Sequence, residues 1–240
     1  MPLTWALVGW GVGALVHLVI RELPSSGALF VRPRCPSCAA PTSRLAVLWG
    51  IALIRPRLGR CARCGAPGPR WFESPELPTA VAFGLLALRP EPWTELVVGS
   101  VYAALLAANA VLDLRHRYVY GVVVYPSTAL ALVLTPFRPG QAPWASVLGL
   151  AIGVGMFGAL YLVGRHGWRT DALGLGDVQL AGMVGAMVGS GSVLGSLALG
   201  VFVNGVVAVV LLLRGKGRGS VFPYGPGLCL GGLLGLLLAP

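Results

Sequence analysis

The chain has 240 residues, of which 56% are hydrophobic and 11% charged, with 35 glycines and 5 cysteines. That balance belongs to a membrane protein and excludes an ordinary soluble domain. The formal net charge of +10 would suit nucleic acid, but the arginines are dispersed and not interleaved with stacking aromatics, so no nucleic-acid partner is expected.

Eight apolar segments can be read, at roughly 3–20, 77–88, 94–112, 118–136, 143–164, 177–188, 193–213 and 222–239. Since about 20 apolar residues cross a bilayer as a helix, the expected fold is an all-α polytopic membrane protein with about eight transmembrane helices. The second and sixth segments are short for a span. The first lacks a basic start and is longer than the apolar core of a signal peptide, so it is expected to stay as an anchor. The chain thus divides into a first transmembrane helix at 1–20, a polar insertion at 21–76 and a membrane-embedded part at 77–240.

The insertion is rich in proline and holds four of the five cysteines. Within it, Leu45 to Ile54 is apolar but too short to span, and reads as a buried or interfacial helix. Cys35-Pro-Ser-Cys38 and Cys61-Ala-Arg-Cys64 are two Cys-x-x-Cys pairs separated by 22 residues. Four thiolates at this spacing suit tetrahedral Zn²⁺. Gly65 allows the tight turn that aims backbone amides at a sulfur, and Arg32, Arg34, Arg60 and Arg63 offset the charge of such a centre. The alternative is a pair of disulfides or a redox pair, which a reducing compartment disfavours. The fifth cysteine, Cys229, reads as a small buried hydrophobe.

Eight spans would place the loops 21–76, 113–117, 165–176 and 214–221 on one side. These hold sixteen of the 18 Lys and Arg, leaving Arg89 and Arg138 opposite. By the positive-inside rule the rich side is cytoplasmic, with both termini outside.

Two carboxylates stand at the cytoplasmic boundary of that map. Asp113 closes the apolar run from Leu96, and Asp177 follows Gly174-Leu175-Gly176 at the mouth of another. An ionisable residue at membrane depth is a candidate functional group. Each has a structural alternative: Asp113 as an interfacial acid paired with Arg115 or Arg117, and Asp177 as a helix cap. Gly174 and Gly176 would let an extended peptide come close to Asp177. Two acids sharing a site hold one proton between them, which suits peptide hydrolysis by an activated water, and the pair titrates as a unit. Asp171 reads as a loop acid, His17 as a satisfied membrane histidine, and His116 as a neighbour of Asp113. No nucleophile-elbow, zinc-protease or phosphate-loop motif occurs.

These residues together resemble the bacterial prepilin peptidases, the type IV leader peptidase family of intramembrane aspartyl proteases. The family's Gly-x-Gly-Asp signature corresponds to Gly174-Leu175-Gly176-Asp177, with Gln179 where the family usually has Lys. Asp113 with Tyr118 corresponds to the family's first catalytic Asp and the segment after it, although Val119-Tyr120 departs from the usual Ile-Pro. The paired Cys-x-x-Cys insertion also corresponds. Phe222-Pro223-Tyr224-Gly225-Pro226, after Gly215-Lys216-Gly217, resembles the family's late Pro-Phe-Gly-Pro segment. Gly13 to Pro24 resembles the exit of its first span, with His17 in place of Asn and Arg21-Glu22 departing.

The resemblance implies a multi-pass protein of the bacterial inner membrane that cuts the basic leader from type IV prepilins or pseudopilins at the cytoplasmic face. It implies Asp113 and Asp177 as the catalytic dyad. It also implies methylation of the new N-terminus with S-adenosylmethionine, for which Glu76 corresponds to a family Glu after the cysteine insertion. Two readings of other classes stand beside it. One is a non-enzymatic membrane assembly factor docking through the zinc knuckle. The other is a transporter relaying protons through both aspartates, which would draw on Asn109 and Asn204 deeper in the spans.

Overall fold

The structure, a computed structural model, describes residues 1–26, 35, 37–41, 60–66, 74–90, 92–168, 173–215 and 223–238. The expected helix at 45–54, Arg32, Arg34, Asp171, Lys216, Gly217 and Phe222 lie outside the described residues. Among the described residues, eight α-helices coincide with the eight apolar segments. They are α1 (Pro2–Ser26), α2 (Glu76–Leu86), α3 (Trp93–His116), α4 (Gly121–Leu134), α5 (Pro143–Val163), α6 (Leu175–Val188), α7 (Val193–Leu213) and α8 (Gly225–Leu238). An all-helical chain is what a bilayer demands, because each helix satisfies its own backbone groups.

By length and composition, three helices among the described residues can cross a membrane unaided: α3, α7 and α5 extended to His166. The other five carry shorter apolar stretches of 10–17 residues, Pro2–Leu18 in α1 among them. Burial separates the three long ones. The apolar window of α3 is 61% buried, against 17% for α5 and 22% for α7. So α3 belongs to the interior and the other two present apolar faces outward.

The chain folds as two compact units, Met1–Arg89 and Pro90–Pro240. In the first, α1 packs on α2. Their contact is apolar at one end, where Trp5 stacks on Phe83, and polar at the other. There His17 Nδ1 lies 3.2 Å from Glu76 Oε1 and Ser74 Oγ 3.4 Å from the same ring nitrogen. All three residues are fully buried, as buried polar groups require partners.

In the second unit α6 is the hub. It packs on α4, α5, α7 and α8, and Val178 and Leu180 to Val188 are all buried. That explains a helix apolar on every side yet only 14 residues long: protein, not lipid, surrounds it. Its junction with α5 depends on missing side chains. A Cβ on Gly149 would stand 2.2 Å from the Gly185 carbonyl oxygen, and one on Gly185 2.1 Å from that of Gly149. Small residues let backbones touch where lipid offers no hydrophobic drive.

Helices α3 to α8 alternate in direction, giving the unit two unlike ends. At one, Arg138 is buried. Its Nε donates to Glu95 Oε1 at 2.7 Å and its Nη1 to the Met187 carbonyl at 2.8 Å. Nη1 also reaches Gln141 Oε1, and the guanidinium lies over the Tyr102 ring. Arg138 is therefore a structural clamp between α3 and the end of α6. The charge map counted it as a free loop charge on the sparse side. With it neutralised, the asymmetry toward the other end grows, where Arg115, Arg117, Arg165 and Arg214 stand at or beyond helix C-termini.

Candidate active site

The basic end of the second unit also holds both aspartates. Asp113 sits in the last turn of α3, buried at 5% exposure. Asp177 sits in the first turn of α6, half-buried. The C-terminus of α3 meets the N-terminus of α6 through Val119, whose side chain fills the space beside Gly176. A Cβ on that glycine would stand 2.7 Å from Val119 Cβ. Asp177 lies within electrostatic range of Asp113. Residues 64 positions apart in sequence thus come to the same end of the unit, where Gly176 lets the α3–α4 connection lie against α6.

Each carboxylate is held in the same way. Asp113 Oδ2 accepts the Gly225 N–H at 2.8 Å, and Asp177 Oδ2 accepts the Gly174 N–H at 3.0 Å. Among the described residues neither Oδ1 accepts a hydrogen bond. One oxygen of each acid is fixed by a backbone amide near a helix N-terminus, which favours negative charge. The other oxygen of each can accept a further hydrogen bond.

Asp177 does help to cap α6, as its structural alternative anticipated, while Asp113 does not pair with the arginines beside it. Asp177 is not the N-cap of α6. Gly174 is, and Asp177 at the third helical position reaches back to its amide, the carboxylate half of a capping box. Asp113 accepts from Gly225, not from Arg115 or Arg117, among the described residues. Gly174 is exposed and its backbone extended, with φ −87° and ψ 155°. A side chain there would make only ordinary contacts. Gly176 is needed for Val119.

The sequence reading named several neighbours of the acids without foreseeing their contacts. Gly225 entered it only as part of a family-like segment. Yet Gly-Pro-Gly opening an apolar run marks a helix start, and a helix start offers amides to an anion. Gln179, where the family usually has Lys, donates from Nε2 to the Tyr125 hydroxyl at 2.9 Å and ties α6 to α4 beside Asp177. His116, Tyr118 and Tyr120 form an edge-to-face aromatic cluster just past Asp113. The two in-span amides donate to backbone carbonyls and touch neither carboxylate: Asn109 to that of Leu105 at 2.9 Å and Asn204 to that of Tyr224 at 2.8 Å. That removes the support the proton-relay reading drew from them.

The four cysteines of the first unit converge. Their sulfurs all lie within 4.8 Å of one another, with Cys35 to Cys64 at 3.6 Å and Cys38 to Cys61 at 3.7 Å. A tetrahedron with metal–sulfur bonds of about 2.3 Å has edges of about 3.8 Å, so the set fits a metal ion and none is a disulfide. The two knuckles share one turn. Ala39 N–H donates to the Cys35 carbonyl and Gly65 N–H to that of Cys61, both at 2.8 Å. The amides of Cys64 and Arg63 face the Cys61 sulfur and lower its thiol to about 6. Cys64 has the Ala66 amide, which lowers it, but desolvation and the other three sulfurs push it up to about 12. A bound cation would turn that crowding of sulfurs into attraction.

Gly65 has φ +70° and Ala39, at the matching position, φ +54°. Alanine is strained in this region by about 1 kcal/mol. Ala39→Gly is therefore expected to stabilise the knuckle by about that amount, read as slower metal release to a chromogenic chelator. Faster release would contradict the shared-turn geometry. Glu76, the candidate carried from the resemblance, lies in this unit too, fully buried on His17.

Fold and site together define an all-helical protein with membrane-spanning helices and two amide-held aspartates at one end of its bundle. The chain matches the type IV leader peptidase family over residues 100–211, which contain both aspartates. It is 32% identical to the type 4 prepilin-like proteins leader peptide-processing enzyme of Escherichia coli O78:H11, over 99% of this chain and 94% of that protein. It is 31% identical to the prepilin leader peptidase/N-methyltransferase of Myxococcus xanthus, over 86% of this chain and 62% of that protein, so it spans less than two thirds of that relative. The protein of the same description from Neisseria gonorrhoeae is 28% identical over 93% of this chain and 78% of that protein. No solved structure matches the chain. The chain belongs to the type IV leader peptidase family, and is a helical inner-membrane protein.

Proposed function

We propose that this chain is a prepilin leader peptidase that also methylates the N-terminus it creates. The observation that carries the reading is the pair Asp113 and Asp177, each tied by one oxygen to a backbone amide at the same end of the bundle. One carboxylate takes a proton from water as the water attacks the scissile carbonyl carbon. The other, protonated, donates to the carbonyl oxygen. Collapse of the tetrahedral intermediate then breaks the C–N bond, and a proton passes to the leaving amine. The dyad holds one proton at the start and returns to that state.

In this reading all eight helices cross the bilayer, the short ones against protein partners, and both termini face outward. The arginine-rich end of the second unit then faces the cytoplasm with the dyad. A prepilin or pseudopilin lies laterally among the spans with its basic leader in the water. Its scissile peptide approaches Asp177 from the exposed Gly174 side, since the space at Gly176 is occupied by Val119. The segment 21–76 forms a cytoplasmic domain in which Cys35, Cys38, Cys61 and Cys64 would hold a structural Zn²⁺. S-adenosylmethionine would supply an electrophilic methyl group to the new amine. Glu76, buried against His17, would serve methylation by holding the unit in shape and not by touching the donor.

The test is direct. Purified protein in lipid nanodiscs is incubated with a prepilin-derived peptide and S-adenosylmethionine, and the products are weighed. Loss of the leader mass with a 14-dalton gain on the mature fragment is the expected result, 14 daltons being roughly one methylene. An uncut peptide would refute the peptidase reading, and a cut but unmethylated one the second activity.

A further inference from the structure

Asn204 is one of few polar residues in the long outer helix α7, and it is 3% exposed. A buried amide in an apolar span is costly unless it is used. Its Nδ2 donates to the Tyr224 carbonyl oxygen at 2.8 Å. The same peptide group continues as the Gly225 N–H, which donates to Asp113 Oδ2 at 2.8 Å. Asn204, one peptide unit and Asp113 therefore form a single hydrogen-bonded chain across α7, α8 and α3.

Both glycines flanking Pro226 are required by it. A Cβ on Gly225 would stand 2.6 Å from Asp113 Oδ2, and one on Gly227 2.1 Å from Asn204 Oδ1. Pro226 has no N–H of its own and favours the first turn of a helix. A donor on the carbonyl side of a peptide polarises it and strengthens its N–H as a donor.

We propose that Asn204 is a positioning residue for the peptidase reaction, acting through the Tyr224–Gly225 peptide to fix and orient the carboxylate of Asp113. This rests on the peptidase reading above. Asn204 touches no reacting atom. It sets the angle at which Oδ2 is held, and so where Oδ1 points.

The test is a double-mutant cycle in the full-length protein in nanodiscs. Asn204→Leu replaces the amide with an apolar side chain of similar volume and removes the donor to the Tyr224 carbonyl. It is expected to lower kcat for peptide cleavage about tenfold with KM unchanged, the scale of one hydrogen bond strengthening another to a charge. Gly225→Ala displaces the carboxylate and is expected to lower kcat about a hundredfold. The double variant should be no slower than Gly225→Ala alone, because both break one chain. Multiplying losses, or kcat of Asn204→Leu within about twofold of wild type, would overturn the relay.

A second measurement does not depend on activity. Hydrogen exchange at the Gly225 amide, followed with ¹⁵N-glycine, should quicken in Asn204→Leu and in Asp113→Ala. Unchanged exchange in Asn204→Leu would overturn the relay, and unchanged exchange in Asp113→Ala the bond it ends on. If the wild type cuts no prepilin peptide, the functional reading falls and exchange alone decides this one.

Discussion

Asp113→Asn and Asp177→Asn should each abolish leader cleavage while the protein still inserts and folds. The expected loss is roughly 10⁴-fold or more, the scale seen when one member of a catalytic unit is removed. Asparagine keeps the shape and can still accept the Gly225 or Gly174 amide, so packing survives. What it cannot do is share a proton with its partner or take one from water. The double variant should be no worse than either single one, because the acids act as a pair. Mass spectrometry of a prepilin peptide after overnight incubation reads the result. Retained cleavage by either variant sinks the dyad and favours the assembly-factor reading, in which both aspartates are dispensable.

Metal analysis should find about one zinc per chain, lost in Cys61→Ser. Zinc supplies apparent folding free energy on the order of 10–16 kcal/mol to small sites of this kind, far more than the contacts of a short proline-rich segment can replace. Chelation should therefore open the knuckle. Limited proteolysis between residues 35 and 64 would report this as a gain in cutting, reversed by added zinc. Cleavage of the prepilin peptide should survive, since both aspartates belong to the second unit. A protein free of zinc, with four individually dispensable thiols, would remove the metal from the proposal.

Much of this was legible in the residue order. Hydropathy located every described helix, because a bilayer leaves a backbone few choices and apolar length is a local property. The Cys-x-x-Cys spacing anticipated four converging sulfurs, because two tight turns set each pair and only their meeting was non-local. Asp113 and Asp177 stood out because a carboxylate beside an apolar run is costly and so is seldom incidental.

Other features were hidden for an equally physical reason. Arg138 looked like a loop charge, but its partner Glu95 lies 43 residues away. Asn204 entered only as a polar group a proton relay could draw on, and its place beside Tyr224 and Gly225 is a matter of packing. Gly176 looked like room for substrate, and its space turned out to be filled by Val119. Nothing in a linear pattern says what will stand opposite a missing side chain.

Residue order alone locates the helices, pairs the cysteines and picks out the two acids as candidates, since each reading depends on local spacing and the cost of burying charge. How the acids are held is a matter of packing between distant segments. It depends on α3, α6, α7 and α8 bringing one end of each together, where backbone amides of Gly174 and Gly225 take one oxygen from each carboxylate and leave the other free.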